Sequence, residues 1–224
     1  MRGAVRALGA ALRVEAAEGG GRAVDGGAAE RVLRSCGGLL EGHFVLSSGR
    51  HSDRYVQVAA AFEHPRLGAE LAAGLAAAVA AAGLRPSVVL GPALGAVIPG
   101  YELARALDCR SLFCERGPDG RFALRRGFVL EPGEPVLVCE NTLTTGGSAL
   151  EALAVARAAG GRPIGVAVVC DRMPDARSVF DIPYVALCRM ELESWPAADC
   201  PLCRAGSVPV KPGSRPDPPA ALRP

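Results

Sequence analysis

Val136-Leu137-Val138-Cys139-Glu140-Asn141-Thr142-Leu143-Thr144-Thr145-Gly146-Gly147-Ser148 decides the fold of this chain. Pro135 to Cys139 is apolar and largely β-branched, the composition of a parallel strand buried on both faces. The polar stretch after it supplies hydroxyls and unshielded backbone N–H groups at Thr144, Thr145, Gly146, Gly147 and Ser148. Ala149 to Ala159 is then a strong helix former. A strand that runs through a Gly-bearing loop into a helix presents N–H groups and the positive end of the helix dipole to an anion. Gly146 and Gly147 could also serve only to turn the chain. Glu140 argues for more than a turn. A phosphate cradle gains nothing from a neighbouring carboxylate, whereas a site that holds ribose hydroxyls beside a cationic sugar does. The stretch is neither G-x-x-x-x-G-K-[ST] nor G-x-G-x-x-G.

Outward from this point the chain alternates. Helices are expected at Ala28 to Ser35, Pro65 to Ala82, Ile98 to Leu107 and Ala149 to Ala159, with a hairpin-like region from Gly42 to Ala59. Strands are expected at Ser87 to Leu90, Arg110 to Cys114, Pro135 to Cys139, Ile164 to Cys170 and Val185 to Leu187. Such alternation implies an α/β fold with a central parallel sheet flanked by helices, and a ligand site at the carboxyl ends of the strands. The expected organisation is a disordered extension over residues 1–26, one domain over 27–211 and a flexible Pro-rich tail over 212–224. The Arg-bearing opening also faintly resembles a transit peptide.

With 224 residues and a formal net charge of +2, the chain has neither the basic footprint of a nucleic-acid binder nor an apolar run long enough to span a membrane. Its eight cysteines, several within apolar runs, read as small hydrophobes of a reducing cytoplasm. Cys200-x-x-Cys203 is half of a tetrahedral zinc set, and no second pair of comparable spacing accompanies it. Cys188 or a dimer mate could complete the set. The simpler reading is a turn near the C-terminus, with no protein metal ligands expected.

Five segments carry a family resemblance. The opening stretch resembles the 5-phosphoribosyl-1-pyrophosphate (PRPP) motif of type I phosphoribosyltransferases. Leu40-Glu41-Gly42-His43-Phe44-Val45-Leu46-Ser47-Ser48-Gly49-Arg50-His51-Ser52-Asp53-Arg54-Tyr55 is similar to the hood of the orotate phosphoribosyltransferases. Val88 to Gly95 resembles their pyrophosphate loop, and Leu124 to Phe128 the segment after their flexible loop. Cys200 to Gly206 with Lys211 to Arg215 resembles the tail of a bacterial branch. In collinear order the likeness covers roughly Ala28 to Arg215.

The resemblance implies a type I phosphoribosyltransferase-like sheet with a small hood built from N- and C-terminal segments. It implies transfer of the phosphoribosyl group from PRPP to orotate in de novo UMP synthesis, giving orotidine 5'-monophosphate and pyrophosphate, with Mg²⁺ as cofactor. Glu140, Asn141 and Arg116 would be catalytic. PRPP would be held by Glu140, Asn141, Thr142, Leu143, Thr144, Thr145, Gly146, Gly147, Ser148 and Arg116, and orotate by Thr144 and Arg172. The Gly91 to Gly95 loop would approach pyrophosphate with its backbone. Gly117 to Arg121 would form a mobile lid shared across a cytoplasmic homodimer, although Pro118-Asp119-Gly120 alone reads equally as a hairpin turn.

Three departures from the family stand out. Asn141 occupies the place of a second acid. The lid region lacks a lysine, Lys211 being the only lysine in the chain, and His51 stands where relatives often carry one. A PRPP-binding regulatory relative without catalysis is the alternative from another class, and phosphoribosyl transfer to a purine base is a third.

Overall fold

The computed structural model describes residues 24–46, 48–173, 176 and 179–212. Residues 1–23 and 213–224, which contain most of the expected extension and tail, lie outside them. Val24 packs against the core, and the first helix, α1, spans Gly26–Ser35. Asp25 Oδ1 accepts a hydrogen bond from Ala28 N at 2.8 Å, an N-cap worth about 1 kcal/mol.

Six strands form the main sheet in the order β5-β4-β3-β6-β7-β8. They are β3 (Val88–Pro92), β4 (Arg110–Arg116), β5 (Phe122–Leu124), β6 (Pro135–Leu143), β7 (Arg162–Asp171) and β8 (Tyr184–Arg189). All neighbours pair in parallel except the edge strand β5, which folds back on β4. Helices α3 (Pro65–Ala81) and α4 (Val97–Leu107) cover one face, joined by α1 and the short α2 (Ala59–Phe62), and α5 (Gly147–Ala158) covers the other.

Side-chain alternation assigns each strand residue to one face. Val88, Leu90, Val136, Val138, Val166 and Val168 pack toward α5, whereas Val89, Leu137, Cys139, Ala167 and Val169 pack toward α3 and α4. All eleven are 0 or 1 % exposed, and each of the larger side chains contributes about 1.5–3 kcal/mol of apolar burial. Near-continuous Val and Leu is what a sheet covered on both faces requires.

The hood is a separate two-stranded hairpin, β1 (Leu39–Val45) paired antiparallel with β2 (His51–Val56). The C-terminal segment runs along both of its edges. Trp195 exchanges two backbone hydrogen bonds of 2.8 Å with His51, and Val210 bridges β1 by accepting from Val45 N at 2.9 Å and donating to His43 O at 2.8 Å. Ser52 Oγ donates to Glu193 O at 2.6 Å. The hood therefore unites the two chain ends, as the fold class anticipated.

Candidate active site at the end of β6

The central strand is longer than its apolar run. β6 continues to Leu143, pairing Thr142 with Cys170 and Leu143 with Asp171, so Glu140 and Asn141 sit on a strand and not in the loop expected after Cys139. Extended pairing persists because β7 also extends and supplies partners for the polar residues' backbone groups. Helix α5 likewise begins at Gly147, two residues earlier than expected. The cradle proper is thus the short turn Thr144, Thr145 and Gly146. Thr144 and Thr145 are exposed, and α5 has neither a side-chain N-cap nor an acid in its first turn, leaving its N-terminal N–H groups unmet by side chains.

Gly146 turns strand into helix. Its φ of +79° lies in the left-handed region, and a Cβ there would come 3.0 Å from Val179 Cγ1. Glycine is the residue that meets both demands. Near the end of β3, a Cβ on Gly91 would lie 2.4 Å from Ala96 O of the β3–α4 loop. The constraint on Gly91 is therefore the loop's own backbone and does not need a ligand to explain it.

Glu140 is 8 % exposed, and burial pushes its carboxyl up to about 7, opposed by one hydrogen bond from Asn141 N at 3.0 Å. The side chain of Asn141 accepts a hydrogen bond from Thr142 N at 2.7 Å and reaches toward Gly95. This contact brings the β6 end and the β3–α4 loop into one site. Burial also pushes the Cys139 thiol up, in keeping with a small hydrophobe inside the sheet.

Arg172 follows β7, and its backbone N donates to Leu143 O at 2.9 Å, which fixes it beside the cradle. Its Nε is buried without a hydrogen-bond partner among the described residues, and burial lowers its pKa. A desolvated guanidinium whose Nε has no partner among the described residues is suited to pairing with an anion.

Arg116 is already engaged. At the end of β4 it makes two hydrogen bonds to Glu151 of α5, at 2.9 and 3.0 Å, and its guanidinium stacks 4.0 Å above the Phe122 ring. Glu151 was not singled out from the sequence, because nothing local joins residues 35 positions apart. The expected lid, Gly117 to Arg121, is a compact hairpin turn between β4 and β5. Gly117 N donates to Arg121 O at 2.8 Å, and Arg121 N donates to Asp119 Oδ1 at 3.1 Å. Pro118-Asp119-Gly120 thus acts here through its turn chemistry.

Cys200-x-x-Cys203 lies at the start of the helical turn α6 (Pro201–Arg204). Cys188 does not complete it, since on β8 its Sγ donates to Val169 O at 3.2 Å inside the core.

No family model matches the chain, but individual relatives do. An orotate phosphoribosyltransferase of Heliobacterium modesticaldum is 48% identical over 184 residues, covering 82% of this chain and 95% of the relative. One of Acidithiobacillus ferrooxidans is 48% identical over 185 residues, covering 82% and 94%. Among solved structures, Mycobacterium tuberculosis orotate phosphoribosyltransferase in complex with inorganic phosphate matches with a TM-score of 0.58 at 30% identity, covering 72% of this chain and 92% of that one. The Aeropyrum pernix enzyme matches with a TM-score of 0.58 at 26% identity, covering 72% and 93%. With near-complete coverage of relatives almost half identical, and with the strand, cradle and hood described above, the chain belongs to the orotate phosphoribosyltransferase family.

Proposed function

We propose that the chain transfers the phosphoribosyl group of PRPP to orotate, yielding orotidine 5'-monophosphate and pyrophosphate for UMP synthesis. The observation that carries the orotate assignment is the buried Nε of Arg172 beside the cradle, which has no hydrogen-bond partner among the described residues. A planar carboxylate is the natural complement of a guanidinium fork.

Thr144, Thr145, Gly146, Gly147 and Ser148 receive the 5'-phosphate at the N-terminus of α5, where uncapped N–H groups and the helix dipole favour an anion. Glu140 and Asn141 accept hydrogen bonds from the ribose hydroxyls, with Thr142 and Leu143 forming the strand edge beneath. The ionised Glu140 carboxylate also stabilises positive charge on the sugar as the bond to pyrophosphate breaks and the bond to the orotate ring nitrogen forms. Thr144 borders both substrates. Arg116 reaches the pyrophosphate side only by leaving Glu151, an exposed pair whose loss costs at most about 1 kcal/mol.

The donor set at the β6 end is all oxygen, with one carboxylate, one amide and several hydroxyls. That chemistry fits Mg²⁺, a hard cation that takes few protein ligands and completes its shell from substrate phosphates and water. Glu140 would be its charged neighbour, and the ion would supply charge neutralisation for the pyrophosphate leaving group.

A homodimer accords with the apolar side chains of Leu94, Ile98 and Tyr101, which are 85, 55 and 58 % exposed around the start of α4. The β4–β5 turn would then reach toward the partner's site. A reducing, cytoplasmic setting accords with eight free cysteines. Among the described residues no helix is long and apolar enough to cross a membrane.

Purified protein with Mg²⁺ and PRPP should consume orotate and release pyrophosphate in equal amounts. Saturable PRPP binding without any orotate turnover would favour the regulatory reading, for which Asn141 is the one supporting observation.

A further inference from the structure

Two of the chain's three histidines meet Cys200 and Cys203 inside the hood. His43 Nε2 lies 3.0 Å from His51 Nδ1, 3.4 Å from Cys200 Sγ and 3.8 Å from Cys203 Sγ. Cys203 Sγ is 3.3 Å from His51 Nδ1, and one ligand atom from each of the four residues falls within 4.8 Å of every other. Bonds of about 2.0–2.1 Å from zinc to nitrogen and about 2.3 Å to sulfur give a tetrahedron whose edges run from about 3.3 to about 3.8 Å. The four ligand atoms in the hood, 3.0 Å apart at His43 and His51 and all within 4.8 Å of one another, are gathered on the scale of that tetrahedron.

We propose that His43, His51, Cys200 and Cys203 bind a structural Zn²⁺ that fastens the N-terminal hairpin to the C-terminal segment.

Hydrogen-bond accounting favours a cation over a polar cluster. His43 Nδ1 lies 3.1 Å from Ser207 O, which can only accept, so the ring proton sits on Nδ1 and Nε2 presents a lone pair. Three groups then crowd that single acceptor, and one of them, Cys203 Sγ, also crowds His51 Nδ1. A metal ion at the centre satisfies all four atoms together. A carbonyl holding the far nitrogen of a ligating histidine is the usual outer support of such sites.

Burial and charge agree. His43 and His51 are each 7 % exposed and Cys200 is fully buried. Two thiolates balance the charge of Zn²⁺, and a mixed sulfur and nitrogen set selects zinc while rejecting Mg²⁺. With four protein ligands no coordination position stays open for a substrate, which makes the site structural. Its mechanical use follows from topology. An isolated two-stranded hairpin is marginal in water, and this one meets the C-terminal segment at His51 and Val45 through backbone hydrogen bonds. The metal clamps β1 and β2 to α6 across more than 150 residues of sequence.

The test uses the full chain purified without chelator, then stripped of metal under reducing conditions. About one zinc per chain is expected on purification. Added Co²⁺ should give the visible bands of a tetrahedral site together with thiolate charge-transfer absorption. Cys203→Ser should reduce that charge transfer by about half, one of two thiolates being lost. Zinc should protect Cys200 and Cys203 from a thiol reagent and slow amide exchange over residues 39–56 and 195–210, with little change over 136–143. Zinc absent on purification, no Co²⁺ spectrum and identical thiol labelling with and without Zn²⁺ would overturn the proposal. If Cys203→Ser does not fold, the wild-type Co²⁺ spectrum and labelling decide the matter.

Discussion

The carboxamide of Asn141 lies over Gly95, with its Nδ2 2.9 Å from the point a Cβ on residue 95 would occupy. The β6 end and the β3–α4 loop are therefore fitted to each other through one side chain and one missing one. Gly95→Ala should displace the carboxamide and break its 2.7 Å bond from Thr142 N, costing about 1 kcal/mol. In the Asn141→Ala background the same substitution should cost little. Denaturant unfolding of the two single variants and the double variant checks this, and additive effects would show that the contact carries no strain.

Asn141→Asp tests the missing charge. A second carboxylate beside the developing sugar cation should raise kcat by roughly tens to hundreds of fold, from about 2–4 kcal/mol of recovered stabilisation. The existing acceptor bond from Thr142 N survives the change, so folding should be little affected. Steady-state rates at saturating PRPP and orotate decide the point, and a rate no higher than that of the parent would mean that the site is adapted to asparagine.

Arg172→Ala should weaken orotate binding about 100-fold, the loss expected of a bidentate charged pair, while PRPP affinity changes little. Arg172→Lys should recover only part, since the fork is lost with the guanidinium. Ligand-free stability should not fall, because the buried Nε has no partner to lose. Calorimetric titration of each substrate separates these outcomes from a general loss of structure.

Glu140 predicts a pH dependence of stability in the free, Mg²⁺-free protein. Its carboxyl titrates near 4.5 when unperturbed and at about 7 in the fold, because burial disfavours the charge. Between these values the folded chain holds a proton that the unfolded chain has released. Its contribution is therefore greatest below pH 4.5 and is lost as pH rises to 7, by roughly 3 kcal/mol. Glu140→Gln has no such loss, so its stability relative to the parent should grow across that window and stay level above it. Urea unfolding at pH 5 and pH 8 measures the difference, and a constant offset would refute the assignment.

Much of the fold was determined by local patterns in the sequence. Runs such as Val136 to Cys139 are apolar because both faces of the sheet are covered, and Gly146 marks the strand-to-helix turn because its left-handed backbone favours glycine. These signals lie within a few residues of one another, so Glu140, the cradle and the α/β order were legible without coordinates. The two histidines and the Cys-x-x-Cys were legible too, but as members of two separate hood motifs and not as one set.

Tertiary structure decided what depends on distant partners. It extended β6 through Asn141 by giving it β7 to pair with, tied Arg116 to Glu151, and closed the expected lid into a short turn. It buried Glu140 enough to move its titration, and left Arg172 Nε beside the cradle without a partner among the described residues. It also carried His43 and His51 to Cys200 and Cys203. Local sequence states what each residue can do. Desolvation and ligand geometry are properties of the space between elements, and these arise only when the chain ends meet in the hood and the strands align in the sheet.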